Sequence, residues 1–217
     1  MRYSSGELRS AVESVVEDAG RDSIGVQGEW ISLFGESLGY DLFHEFLEST
    51  EECNIRAAGQ AMGLNLQESL AVHAYSMGFR DGTGCFTELN RRLRNRIPKG
   101  KFYGSLFTDL KDAVAKLPTF DGIVYRRTEI PESMLHLLSL RPTAGYRDPA
   151  FLSASTSTNA FAGRDMLVIQ SIQGCDISAL SAFPEEQEVL FMPNTSFQIS
   201  KVLLGPVGTY LELIDLR

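Results

Sequence analysis

Apolar residues recur every three or four positions through the first half of the chain, the period of an amphipathic helix. The pattern predicts five helices. Their inward-facing residues begin at Leu8, Ile31, Leu66, Phe86 and Leu106. The sequence predicts that Asn65 caps the N-terminus of the third helix. Its side chain can accept a hydrogen bond from a backbone N–H of the first turn, and Glu68, three residues later, can reach back to the backbone of Asn65.

Polar residues and prolines mark the limits of the last two of these helices. Thr83 is expected to open the fourth helix and Pro98 to end it. In the same way Ser105 is expected to open the fifth helix and Pro118 to end it.

After Pro118 the pattern changes to short runs of β-branched and aromatic residues, separated by Gly, Pro, Asn and Asp. The predicted strands are GIVYRR, AFLSAST, DMLVIQSI, QEVLFM, FQISKVLL and TYLELIDL. One short helix is expected near Pro131. Helices followed by strands predict an α+β fold rather than an alternating parallel sheet. We expect one domain over residues 1–217, with a mainly helical part at 1–117 and a β-rich core at 118–217.

Composition narrows the classes of protein that fit. At 217 residues with 43% hydrophobic residues, the chain can bury one globular core. A net charge of -8 disfavours nucleic acid or an anionic membrane as a partner, since both are bound by basic surfaces. The three cysteines are far apart, so neither a zinc site nor a disulfide framework is expected. No Sec-type signal peptide or membrane span is visible near the N-terminus.

The segment FPEEQEVLF, residues 183–191, places three carboxylates within four residues, directly before an apolar strand. Like charges at adjacent positions repel, so such a cluster lies on a solvated loop unless chemistry requires it. Two of these residues, Glu186 and Glu188, follow the aromatic Phe183 by three and five positions. The strand that follows favours a functional turn over a solvated loop.

Three strand-associated features, Arg126, Ser153 and Glu188, occur in an order that resembles the Arg, Ser, Glu signature of the mono-ADP-ribosyltransferases. In that family an aromatic residue precedes a Glu or Gln by three positions and the catalytic Glu by five, as Phe183 precedes Glu186 and Glu188. The resemblance implies the fold of that family, in which a helical N-terminal part packs on an NAD-binding core of two antiparallel-type sheets.

Two further pairs extend the resemblance. Phe161 and Arg164 occur where clostridial Rho-modifying exoenzymes carry a Phe and an Arg that clamp NAD. Asn90 and Arg94 look like the Asn and Arg, one helical turn apart, that contact the phosphate and ribose region of NAD.

The resemblance assigns a role to each residue. Glu188 stabilises the positive charge that develops on the ribose, and Ser153 fixes the orientation of its carboxylate. Arg126 binds the diphosphate region of NAD. In this family a Glu at the position of Glu186 accompanies arginine acceptors, and Phe183 contacts the acceptor protein. NAD is thus expected as a co-substrate, with no metal.

Two assignments remain open. Arg127 follows Arg126, and only one of two adjacent strand residues can face NAD; the aromatic Tyr125 favours Arg126. An overlapping serine motif, Ser155-Thr156-Ser157, competes with the one that begins at Ser153, which follows an aromatic-aliphatic pair.

The resemblance implies an enzyme that transfers ADP-ribose from NAD to an arginine of a target host protein, similar to type III effectors and small phage enzymes. We expect a monomer that acts in the cytoplasm of a host or target cell, delivered there by a dedicated secretion system. An NAD glycohydrolase on the same fold and a non-catalytic α+β interaction module remain alternatives.

Overall fold

The structure is a computed structural model that describes residues 40–78, 84–140 and 145–216. The first predicted helix, the start of the second and the predicted cap Thr83 lie outside these residues. Two compact units are present: a helical unit, with the described residues up to 92 and residues 96–116, and a β-rich unit, with residues 93–95 and 117–216. The expectation of one domain stays a prediction.

Within the part of the chain that the structure describes, five helices precede the sheet. They are α1 (Tyr40–Glu52), α2 (Ile55–Ala61), α3 (Leu66–Ser76), α4 (Cys85–Arg94) and α5 (Gly100–Lys116). Among the described residues no helix is both long and apolar enough to cross a membrane.

The capping box predicted for α3 is confirmed. The backbone N–H of Glu68 donates to Asn65 Oδ1 at 2.9 Å, and the backbone N–H of Asn65 donates to Glu68 Oε2 at 3.0 Å. Both partners are local in sequence, so the motif could be identified before the fold was known.

Two predicted helix limits are wrong. Helix α5 begins at Gly100 rather than Ser105, because Phe102, only 6% exposed, extends the buried face of Leu106 by one more turn. Helix α4 ends at Arg94, before Pro98 is reached, and Arg96 has a left-handed φ of 54° that a continuing helix does not allow.

The described residues of the β-rich unit form eight strands and one further α-helix. These are β1 (Gly122–Thr128), α6 (Glu132–Leu140), β2 (Gly145–Arg147), β3 (Leu152–Ser155), β4 (Asp165–Ser171), β5 (Cys175–Asp176), β6 (Glu188–Phe191), β7 (Ser196–Gly205) and β8 (Gly208–Asp215). The strand order is β2-β7-β8-β4-β1-β3-β6-β5, and every neighbouring pair is antiparallel except β4 and β8.

The predicted α+β fold is confirmed, and the strands expected in two sheets form one hydrogen-bonded series. A single registered pair, Tyr125 opposite Ser155, joins β1 to β3 and so links the five strands on one side to the three on the other. Strands β2 and β5 were not predicted, because segments of three and two residues are too short to show an alternating pattern.

One face of the sheet supplies the core of the unit. Val124, Ile169 and Leu213 follow one another across β1, β4 and β8, and each is 1% exposed or less. Phe191 of β6 meets Phe197 of β7 in an edge-to-face contact with ring centres 5.3 Å apart. This core holds the strands in place, and residues of the same strands that lie outside the core form the candidate site.

Candidate active site

Glu188, the first residue of β6, is only 4% exposed. It lies opposite Ser155 of β3, and Ser153 lies opposite Leu190 two residues along. Since alternate strand residues share a face, Ser153, Ser155 and Glu188 lie on the same side of this strand pair. The Ser153 side chain hydrogen-bonds the Glu188 carboxylate.

Burial raises the pKa of Glu188 from 4.5 to about 7, because the charged form loses its hydration. The hydrogen bond from Ser153 opposes this change in pKa, the nearby Glu186 carboxylate adds to it, and the positive charge of Arg126 opposes it. Such a raised pKa on a buried acid, beside a hydroxyl and a cation, is typical of a functional site.

Arg126 is connected to the same cluster. Its Nη1 donates to the Ser153 carbonyl oxygen at 2.6 Å, and its Cζ lies 5.4 Å from the centre of the Phe161 ring. The structure therefore brings together Arg126, Ser153, Glu188 and Phe161, four residues predicted from the sequence to form the site.

The two adjacent arginines face opposite sides of β1. Arg126 is registered with Leu167 of β4 and shares its face with the buried Val124, whereas Arg127 is registered with Met166. A cavity of about 320 Å³ adjoins this strand, and Arg126, not Arg127, is among the described residues that line it.

The turn before β6 separates Glu186 from Glu188. Pro184–Glu186 form one 3₁₀ turn, and Gln187 follows with a left-handed φ of 48°. The Oγ of Ser155 donates to the Glu186 carbonyl oxygen at 2.5 Å, which ties the turn to β3. Burial and the adjacent Glu185 raise the pKa of the half-buried Glu186, while Phe183 at the start of the turn is also half-buried.

A match to a family model spans residues 44–206, and its description is NAD:arginine ADP-ribosyltransferase. The matched range contains every candidate site residue named above. The chain belongs to the NAD:arginine ADP-ribosyltransferase family.

Curated relatives carry the same family name. The chain is 35% identical over 132 residues to the NAD(+)–protein-arginine ADP-ribosyltransferase Tre1 of Pseudomonas putida, which is 59% of this chain and 25% of Tre1. It is 32% identical over 114 residues to Tre1 of Serratia proteamaculans, which is 52% of this chain and 25% of that protein. The chain thus spans a quarter or less of the length of the first curated relatives it matches.

The fold of the ADP-ribosyltransferases is also found by comparison with solved structures. Exoenzyme S from Pseudomonas aeruginosa, crystallised with human 14-3-3 protein beta and bound to carba-NAD, superimposes with a TM-score of 0.64. The superposition covers 88% of this chain and 89% of exoenzyme S at 15% sequence identity, and so it shows a shared fold.

Within this ADP-ribosyltransferase fold, Phe161 and Arg164 have different surroundings from each other. Gly163, between them, has φ 149°, and a Cβ added there would lie 2.4 Å from the backbone nitrogen of Thr128. The Arg164 backbone N–H donates to Glu129 Oε1 at 2.9 Å, and its Nε lies 3.5 Å from Asp165 Oδ1. Phe161 contacts Arg126, whereas the NAD contact predicted for Arg164 stays a prediction.

Asn90 and Arg94 both lie on α4 but have different surroundings. Asn90 is buried in the helical unit, where its Nδ2 donates to the Tyr75 hydroxyl at 3.0 Å. Arg94 belongs to the β-rich unit and lines the cavity, with Nε and Nη2 donating to the two carboxylate oxygens of Asp148 at 3.1 and 2.8 Å. The NAD contacts of both residues remain predictions.

More charged residues line the cavity beside Arg126 than the sequence predicted. Among the described residues that line it are Arg94, Arg126, Arg147, Glu129 and Asp148. Sequence reasoning missed Asp148, Arg147 and the structural role of Ser155. The overlapping serine motif was the available signal for Ser155, but Asp148 had none, because its partner Arg94 is 54 residues away in sequence.

Proposed function

We propose that this chain transfers ADP-ribose from NAD to an arginine side chain of a target protein and releases nicotinamide. The observation that carries the proposal is the buried Glu188 carboxylate, which Ser153 hydrogen-bonds and which follows Glu186 by two residues. Membership of the NAD:arginine ADP-ribosyltransferase family and the names of the Tre1 relatives support it.

The residues present fit NAD. Arg126 and Arg94 line a cavity large enough for part of a dinucleotide, and planar guanidinium groups suit diphosphate oxygens. Phe161 contributes an aromatic face beside Arg126, against which a flat ring can pack. Arg164 and Asn90 complete the proposed set of NAD-binding residues on the family pattern.

The chemistry requires a carboxylate close to the ribose. Cleavage of the bond between nicotinamide and ribose builds positive charge on the sugar, as in glycoside hydrolysis. Glu188 stabilises that charge in its ionised form and holds the ribose hydroxyl beside it. Ser153 donates to this carboxylate and limits its rotation, and Arg126 supports the ionised state electrostatically.

Glu186 acts on the acceptor. An arginine side chain keeps its proton at neutral pH and is therefore a poor nucleophile. A carboxylate at Glu186 pairs with the guanidinium, orients it and accepts its proton as the new bond forms. The raised pKa of Glu186 favours proton acceptance, and Phe183 offers the target protein an apolar contact.

The target is proposed to be a protein of a host or target cell, modified in its cytoplasm by a monomeric enzyme without a metal ion. Among the described residues no group of three His, Cys, Asp or Glu side chains could hold a metal ion. Tests of these points are light scattering for the oligomeric state and turnover measured in EDTA, where full activity is expected.

The function is tested by incubating the chain with labelled NAD and a cell lysate. The proposal predicts labelled protein bands that hydroxylamine removes, as expected of an arginine linkage, and no bands with Glu188→Gln. Nicotinamide release without labelled protein would instead identify an NAD glycohydrolase. Absence of both NAD binding and NAD turnover would refute the proposal that the chain is an enzyme.

A further inference from the structure

The carboxylate of Asp148 engages the guanidinium of Arg94 through two parallel hydrogen bonds. Nε donates to Oδ1 at 3.1 Å and Nη2 donates to Oδ2 at 2.8 Å. Such a bidentate pair fixes the plane of the guanidinium as well as its position, because both hydrogen bonds form only when the guanidinium and the carboxylate are aligned. Both residues line the cavity proposed for NAD.

Asp148 is the fixed member of the pair. Its side chain is 9% exposed, against 44% for Arg94. Oδ1 also accepts the backbone N–H of Ala150 at 2.9 Å, and the Asp148 carbonyl oxygen accepts the backbone N–H of Asn194 at 2.8 Å. Arg94 has the longer side chain and the greater rotamer freedom, so the pair restricts Arg94 far more than Asp148.

We infer that Asp148 is a positioning residue for NAD, which holds the Arg94 guanidinium at the cavity wall in the orientation that meets the diphosphate. This inference rests on the proposed function. It assigns Asp148 no contact with NAD, since a carboxylate beside a diphosphate would repel it.

A purely electrostatic role for Asp148 predicts the opposite result. Asp148 lines the same cavity as Arg126 and Arg147, so removal of its negative charge makes the cavity more positive. If charge alone decided NAD affinity, neutralising Asp148 would strengthen binding. If the position of the Arg94 guanidinium decides NAD affinity, neutralising Asp148 weakens NAD binding, because Arg94 then occupies several rotamers. Whether NAD binding becomes stronger or weaker therefore distinguishes the electrostatic role from the positioning role.

The test measures nicotinamide release against NAD concentration for Asp148→Asn. The amide oxygen of Asn can still accept from Ala150, but its NH₂ group cannot accept from Arg94. We expect a KM for NAD raised about tenfold, with kcat changed by less than about twofold. Asp176→Asn is the matched control, because Asp176 Oδ1 makes the same contact with the N–H two residues on, at 2.9 Å, and does not line the cavity.

Two further variants keep the inference falsifiable if Asp148→Asn unfolds. Asp148→Glu keeps the charge but displaces the carboxylate by one methylene, and we expect it also to raise KM. Arg94→Lys should raise KM to a similar level, and adding Asp148→Asn to it should change KM little, because Asp148 acts through Arg94.

Three results decide the matter. An unchanged or lower KM in both Asp148 variants, with turnover intact, overturns the inference alone. Additive effects of Asp148→Asn and Arg94→Lys also overturn it. A wild-type chain that releases no nicotinamide overturns the proposed function and this inference together.

Discussion

Replacing Glu188 with Gln removes a carboxyl group whose ionisation works against folding. The structure buries this group and raises its pKa from 4.5 to about 7. Between these two pH values the unfolded chain has lost the proton that the folded chain still holds. The contribution of Glu188 to stability is therefore most favourable below pH 4.5. It becomes less favourable as the pH rises through 7, by a total of about 3 kcal/mol at about 1.4 kcal/mol per pKa unit.

The Gln variant does not titrate and should lack this loss. The difference in unfolding free energy between Glu188→Gln and wild type should therefore shift in favour of the variant by about 3 kcal/mol between pH 4 and pH 8. Urea unfolding across this range, with constant m-values, measures the difference. Glu185→Gln, at an exposed position in the same turn, is the control, because it keeps the buried Glu188 carboxyl and should keep the fall in stability with pH that this carboxyl causes.

A pH-independent difference between Glu188→Gln and wild type would refute the reasoning, because it would mean that the Glu188 carboxyl keeps its hydration in the folded state. The same pKa predicts a catalytic signature. Nicotinamide release by the wild type should rise with pH through about 7, as the carboxylate becomes ionised. The ionised form of Glu188, which is the proposed catalytic form, is thus the form that lowers the stability of the fold.

Five other substitutions should give distinct outcomes. Glu186→Gln should lower transfer to arginine by about 10²-fold or more and retain NAD hydrolysis; intact transfer would remove Glu186 from its proposed role. Arg126→Lys should raise the KM for NAD about tenfold and Arg127→Lys by less than about twofold, and the reverse order would show that Arg127 is the ligand. Gly163→Ala should lose about 2 kcal/mol in urea unfolding, because its Cβ would meet the adjacent strand. Asn65→Ala should lose about 1 kcal/mol without a change in NAD cleavage.

Local features of this chain could be predicted from the sequence, because all their partners lie within a few residues. The capping box of Asn65 and Glu68 is one example. The turn at Phe183 is another, since Glu186 and Glu188 owe their separate environments to a 3₁₀ turn and one left-handed residue between them. The family resemblance supplied the roles that spacing alone could not.

Contacts between distant residues could not be predicted in the same way. The sequence shows that only one of Arg126 and Arg127 can face the cavity, but the choice depends on the register with β4, which places Arg126 opposite Leu167. The pair of Arg94 and Asp148 depends on a segment 54 residues away. Each of these depends on strand pairing or tertiary packing rather than on local pattern.

We propose that this chain places ADP-ribose on arginine, with Glu188 and Glu186 in separate roles. Peptide mass spectrometry of lysate proteins after incubation with NAD tests it most directly. We expect ADP-ribose on arginine residues with the wild type and none with Glu188→Gln. With Glu186→Gln we expect about 10²-fold less or lower still, while this variant still releases nicotinamide. ADP-ribose found on another residue type, or on arginine with Glu186→Gln at the wild-type level, would contradict it.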